Sequence, residues 1–190
     1  MGKRAKPGHR GQLRIIGGRW RGRRIDLPAG PGVRPTGDRV RETLFNWLAP
    51  IMDGARCLDL FAGSGALGLE ARSRGAAEVV FVEKDPAAVG RLRDNIAHLE
   101  CDGVSVVAGD ALRYLRGEPR AFDIVWIDPP FGEFSLSLLC TLLERGWLAD
   151  GARIYLELGR HDDLPALPAN WVVDRDKTAG QVRYALAKRG

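Results

Sequence analysis

A mostly parallel, seven-stranded α/β sheet with helices on both faces is the fold this sequence predicts, and three observations predict it. From Ala55 onward, short β-rich apolar runs alternate with stretches of helical periodicity, the pattern of parallel strands joined by crossover helices. A glycine-rich turn, Gly63-Ser64-Gly65-Ala66-Leu67-Gly68, follows the first of those runs and opens a helix. Four acids, Asp59, Glu83, Asp110 and Asp128, stand at or just beyond the C-terminal ends of four expected strands, at spacings of 24, 27 and 18 residues, each about one βα unit.

Residues 1–11 mix Lys, Arg, Gly and Pro without apolar periodicity and are expected to form a flexible basic tail. Two apolar runs, Leu13-Arg14-Ile15-Ile16 and Arg24-Ile25-Asp26-Leu27, flank Gly17-Gly18-Arg19-Trp20-Arg21-Gly22 and predict a hairpin with a basic, aromatic tip. Thr36 or Asp38 can cap the next helix, in which Val40, Leu44, Trp47 and Leu48 recur at helical spacing. Strands are expected near 56–60, 78–82, 104–108, 122–127 and 152–157, with helices near 65–74, 86–99, 110–116 and 135–146. A closing pair of strands fits 171–174 and 181–187. The division expected is a basic tail over 1–11, a hairpin and helix over 12–50, and a larger α/β domain over 51–190.

A chain of 190 residues with 45% hydrophobic and 28% charged residues can bury a full core and falls among globular rather than disordered sequences. No stretch approaches the roughly 18 to 20 apolar residues of a membrane span, and the basic start leads into Arg and Gly, so a cytoplasmic protein is expected. Cys57, Cys101 and Cys140 lack the paired spacing of a zinc site or disulfide framework, and no metal is expected. The net charge of +5 divides unevenly: residues 1–48 carry 12 basic and 3 acidic side chains, a charge of +9, which leaves −4 on the remainder. A basic arm on a near-neutral body fits an anionic polymer, although a solvated tail would look the same.

In an open α/β sheet the ligand crevice lies outside the carboxyl ends of the strands, so the four acids should converge on one rim. The turn Asp59-Leu60-Phe61-Ala62-Gly63-Ser64-Gly65 lets a ligand approach the backbone and presents helix N–H groups. Gly63, Gly65 and Gly68 satisfy G-x-G-x-x-G, which a dinucleotide site shares, and Gly68 by itself also suits tight packing of helix on strand. Asp59 separates the two ligand readings, because its carboxylate would repel a pyrophosphate but pair with the ammonium of S-adenosylmethionine. Glu83 can accept the hydroxyls of a ribose or serve as a helix N-terminal acid, and Asp110 can accept an adenine amine or act as a plain N-cap.

Asp128-Pro129-Pro130-Phe131 ends the apolar strand Ile124-Val125-Trp126-Ile127 at the same rim. An exocyclic base amine is a weak nucleophile whose lone pair must be turned towards a methyl donor, and acceptors on its protons favour that geometry. Asp128 and a backbone carbonyl of the turn can supply them, the prolines fix φ and remove donors, and Phe131 can stack on the base. Among the histidines, His9, His98 and His161 have no evident chemical partner.

Asp128 to Phe131 together with Asp59 to Gly65 resemble the Rossmann-like class I methyltransferases that modify amino nitrogens of bases. More closely, the runs from Arg14 to Arg23, from Arg34 to Leu48 and from Phe61 to Glu70, with Pro168-Ala169-Asn170-Trp171 and Ala179-Gly180-Gln181-Val182, resemble the RsmD family over residues 12 to the end. The resemblance implies methyl transfer from S-adenosylmethionine to N2 of one guanine in 16S ribosomal RNA, free or in a small-subunit assembly intermediate, by a monomeric enzyme. Implied cofactor contacts are Thr36, Arg39, Asp59, Phe61, Ala62, Gly63, Ser64, Gly65, Glu83, Lys84, Asp85, Asp110, Ala111 and Asp128, with Asp128, Pro129, Pro130 and Phe131 catalytic. Arg14, Arg19, Trp20, Arg21, Arg23, Arg24 and Arg34 are the implied RNA contacts. The competing expectations are an adenine-N6 or cytosine-N4 methyltransferase, an NAD-dependent oxidoreductase and a non-catalytic RNA-binding module.

Overall fold

A computed structural model describes residues 11–28, 37–130 and 134–190. Strands β1 (Gln12–Arg14) and β2 (Arg24–Asp26) form a small antiparallel hairpin, followed by α1 (Asp38–Met52). The main sheet is built from β3 (Arg56–Asp59), β4 (Glu78–Glu83), β5 (Val104–Ala108), β6 (Phe122–Ile127), β7 (Leu148–Gly159), β8 (Trp171–Ala179) and β9 (Val182–Arg189). Helices α2 (Ala66–Ser73), α3 (Pro86–Leu99), α4 (Ala111–Leu115) and α5 (Leu136–Leu143) connect them.

The strand order is β5-β4-β3-β6-β7-β9-β8, parallel from β5 through β7, with β9 antiparallel to both β7 and β8. The chain winds outward in one direction through β3, β4 and β5 and in the other from β6, so the order reverses between β3 and β6. Such a reversal leaves the crossovers on opposite faces and opens a crevice at the strand ends. One apolar layer packs α1, α2, α3 and the hairpin residues Leu13, Ile15 and Ile25 on the sheet, and a second packs α4 and α5 on the other face. The central strands are buried on both sides, which is why they read as continuous apolar runs. Cys57, Cys101 and Cys140 are buried free thiols, and no helix among the described residues is long and apolar enough to cross a membrane.

The expected elements match the observed ones to within a few residues except at the C-terminal end. Strand β8 runs on to Ala179 although the residues from Val172 to Thr178 are all exposed. It pairs with β9 through its backbone, with a register shift between Val173 and Arg175, so the side chains carry no alternation that would reveal it. Helix α1 starts at Asp38 with Gly37 in the cap position and no side-chain cap. Thr36 lies outside the described residues, and Asp38 instead pairs with Arg41 at 2.7 Å.

The hairpin is docked rather than freestanding. Glu70 on α2 is fully buried and accepts from the amides of Ile16 and Gly17 at 2.8 Å each, from Arg74 at 2.7 Å and from the fully buried Arg41 at 3.5 Å. Arg41 also donates to the carbonyl of Arg14. At the tip, the amides of Arg19 and Trp20 donate to the carbonyl and hydroxyl of Ser73, and that hydroxyl donates to the carbonyl of Gly17. Gly18 has φ +74°, and a Cβ there would stand 1.8 Å from the Ser73 carbonyl, so only glycine permits this approach.

Docking corrects the expectation of an exposed aromatic tip. The Trp20 side chain is 4% exposed and belongs to the core, because the tip folds onto the C-terminal end of α2. Its ring is therefore not presented to a partner. Arg14, Arg19, Arg21, Arg23 and Arg24 are exposed, with Arg23 donating to the carbonyl of His98. Arg34 lies outside the described residues.

Candidate active site

The crevice between β3 and β6 is where the candidate residues meet. Asp59 closes β3, paired in register with Trp126 of β6, and two residues beyond Trp126 the chain reaches Asp128. A cavity of about 800 Å³ opens here, lined by Asp59, Phe61 to Ser64, Glu83 to Asp85, Ala111, Asp128 to Pro130 and, from α1, Arg39. Most of the expected cofactor and catalytic positions thus share one wall-to-wall space, although they come from five different stretches of sequence.

The loop after β3 is held by backbone bonds. The Ala62 amide donates to the Val82 carbonyl at 3.0 Å, and the Gly63 amide donates to Glu83 Oε2 at 2.7 Å. The other oxygen of Glu83 accepts from the Asp85 amide at 2.8 Å, which fixes the carboxylate at the end of β4. Asp85 caps α3 through the amides of Ala87 and Ala88. Asn95 of α3, 3% exposed, bridges outward from this loop: its amide nitrogen donates to the carbonyls of Ser64 and Asp26, and its oxygen accepts from the Asp26 amide.

Asp59 is 3% exposed, and its carboxyl is pushed up to about 7, chiefly by burial. Amide bonds from Gly68 and Phe61 oppose that rise, while the nearby charge of Glu83 adds to it. A nearby positive charge would favour the ionised form of such a buried acid.

Two expected positions, Gly65 and Asp110, fall outside the cavity lining, and Gly68 packs as expected. Gly65 has φ +81° and caps α2, and a Cβ on it would meet Leu92 at 2.4 Å, so it serves the packing behind the loop. A Cβ on Gly68 would stand 2.2 Å from the Phe81 ring, which is the tight helix-on-strand packing foreseen for it. Asp110 accepts from the Arg113 amide at 3.0 Å as the N-cap of α4 and does not line the cavity, whereas Gly109 and Ala111 beside it do. Phe131 lies outside the described residues.

The cavity also takes in residues to which sequence reasoning assigned no role. Phe134 lies edge-on to Phe61 with ring centroids 5.0 Å apart, and the Lys84 ammonium sits 5.3 Å from its centre. Ala179 to Val182, the turn joining β8 to β9, form part of the lining, and so does Glu157 of β7, 6% exposed. The only signal for the turn was its likeness to family members, and Glu157 gave none.

The sequence matches the family model described as Conserved hypothetical protein 95 over residues 13–188. It is 52% identical over 187 residues to Ribosomal RNA small subunit methyltransferase D of Escherichia coli, covering 97% of this chain and 94% of that one. Identity to the protein of the same name from Haemophilus influenzae is 43% over 196 residues, covering 98% of each. Among solved structures, yhhF of Escherichia coli, described as a proposed methyltransferase, superposes with a TM-score of 0.88 at 50% identity, covering 94% of this chain and 98% of that one. A family model that spans nearly the whole chain, a shared fold and relatives of this identity agree: the chain belongs to the Conserved hypothetical protein 95 family, the RsmD family of methyltransferases.

Proposed function

We propose that this chain transfers a methyl group from S-adenosylmethionine to the exocyclic N2 of a guanine in small-subunit ribosomal RNA. One observation carries the reading: Asp59 and Glu83 border the same cavity as Asp128, Pro129 and Pro130, across the point where the strand order reverses. The relatives named Ribosomal RNA small subunit methyltransferase D supply the substrate class.

The cofactor contributes an electrophilic methyl on a sulfonium. On this chain, Asp59 pairs with the ligand's ammonium and Glu83 takes the ribose hydroxyls, while Ala111 and the loop over 61–64 border the remainder. Asp128 and a carbonyl of the Pro129-Pro130 turn accept the two N2 protons, which orients the amine's lone pair. Formation of the nitrogen–carbon bond would break the methyl–sulfur bond of the donor, leaving S-adenosylhomocysteine, and one of the two N2 protons would pass to solvent. Phe131 supplies a stacking face for the base, and Thr36 and Arg39 help to close the site.

The raised Asp59 carboxyl sets a pH dependence. The unfolded chain loses this proton near 4 and the folded, ligand-free chain keeps it to about 7, so Asp59 lowers stability progressively as pH rises between those values. A bound ammonium favours the carboxylate, so binding expels a proton and affinity weakens as pH falls below 7, by up to about tenfold per unit. Calorimetry of S-adenosylhomocysteine binding near pH 6, in buffers of different ionisation enthalpy, should show proton release approaching one, and Asp59→Asn should remove it. Binding without proton release would disprove this role.

RNA contact falls to the exposed arginines of the hairpin and to Arg34, with the small ribosomal subunit or an assembly intermediate as the particle bound. If Arg21 neutralises one phosphate, Arg21→Ala should reduce the slope of log affinity against log salt by about 1 while leaving cofactor affinity unchanged. An unchanged slope would remove Arg21 from the interface. The deciding experiment for the function is incubation with labelled cofactor and under-methylated small-subunit RNA or particles, followed by nucleoside analysis. N2-methylguanosine is expected; label in N6-methyladenosine would overturn the reading.

A further inference from the structure

We infer that Glu157 selects guanine over the other amino bases by accepting the N1–H that lies beside the reacting amine, an inference that rests on the methyl-transfer reading above. Parallel strands β6 and β7 pair as far as Ile127 with Leu156, so the next residue on each, Asp128 and Glu157, occupies the adjacent rank at the strand ends. Both residues border the main cavity. Glu157 also borders a smaller space of about 200 Å³ that continues past Pro129, Pro130 and Phe134, so it stands where the two spaces meet at the Asp-Pro-Pro turn.

Its orientation is fixed from below. The Tyr155 hydroxyl, two residues earlier on the same face of β7, donates to Glu157 Oε2 at 2.7 Å. Tyr184 faces Glu157 across the β7–β9 pair, and Trp47 stacks on Tyr184 with centroids 5.5 Å apart. Burial, with the charges of Glu157 and Asp128, raises the Tyr155 phenol well above its ordinary value, so Tyr155 remains a donor at neutral pH. A carboxylate held this way is an acceptor wall that needs no rearrangement when a base arrives.

The chemistry of the bases turns this wall into a selector. Asp128 and the turn carbonyl serve any exocyclic amine, because all such amines offer protons. They differ in the neighbouring ring atom: guanine carries N1–H next to its N2 amine, whereas adenine N1 and cytosine N3 carry lone pairs next to theirs. A carboxylate beside Asp128 accepts a hydrogen bond from the first and repels the other two. Sites that hydrogen-bond a substrate donor reject analogues lacking it more strongly than apolar pockets reject a change of size.

The test uses small-subunit particles in which the guanine mapped by the nucleoside assay is replaced by 2-aminopurine, which keeps the N2 amine but has a lone pair at N1. Wild-type enzyme should favour guanine by at least roughly tenfold in kcat/KM, the worth of a charge-assisted hydrogen bond. Glu157→Gln can still accept from Tyr155 while offering an amide N–H to the N1 lone pair, so the preference should fall by at least roughly tenfold, with S-adenosylhomocysteine affinity and Tm close to wild type. Equal turnover of both substrates by the wild type would overturn the inference without recourse to any variant, as would loss by the same factor on both in Glu157→Gln, the mark of a merely structural residue. If the wild type forms no N2-methylguanosine on guanine particles, the proposed function fails, and the role of Glu157 fails with it.

Discussion

Asp128→Ala is expected to lower single-turnover methyl transfer by about 10²- to 10⁴-fold, the range associated with losing a positioned polar group at a reacting centre. The residue directly follows the largely buried strand β6, borders the cavity and is not part of either apolar core, so the fold should survive the change. Asp128→Asn keeps one carbonyl acceptor and should retain more activity than alanine. Both variants should unfold within a few degrees of the wild type, and S-adenosylhomocysteine should still bind through Asp59 and Glu83. Single-turnover rates near wild type in Asp128→Ala would sink the catalytic assignment.

Glu70→Ala is expected to destabilise the protein by about 3–5 kcal/mol, as breaking a buried ion pair from one side does. The loss has two parts. Arg41, fully buried, would lose one of its carboxylate partners, and the amides of Ile16 and Gly17 would lose their acceptor. Replacing Arg41 and Glu70 together by methionine should recover the first part but not the second, since backbone donors cannot be mutated away. Urea unfolding separates these outcomes: a loss below about 1 kcal/mol in Glu70→Ala would show that this acid does not hold the hairpin.

The sheet and most of its rim were legible in the sequence because their signals are local. Buried parallel strands appear as apolar runs, and the acids that follow them mark the strand ends without reference to anything distant. Where a side chain's role depends on a remote segment, the local pattern misled. Trp20 among arginines has the composition of an exposed binding tip, yet Ser73, 53 residues further on, draws it into the core. Glu70 sits in a helical stretch where an acid normally faces water, and the docked hairpin, with Arg41 of α1, covers it. Glu157 alternates with apolar neighbours as a half-exposed strand residue would, and its burial follows from β9 lying alongside. Asp110 supported two readings that one sequence could not separate, since a helix cap and a ligand contact place the same residue at the same strand end.

The anchors of the hairpin also bear on the order in which the protein can be made. Asp26 is bonded to Asn95, 69 residues later, and the segment after β1 to Glu70 and Ser73, so the partners on α2 and α3 that dock the hairpin do not yet exist while its strands are being synthesised. At about 5–20 residues per second, the stretch between Asp26 and Asn95 takes roughly 3 to 14 s to produce. During that interval the hairpin arginines have left the peptidyl-transferase centre while the α3 partners of the hairpin, Asn95 and the His98 carbonyl, have yet to be made.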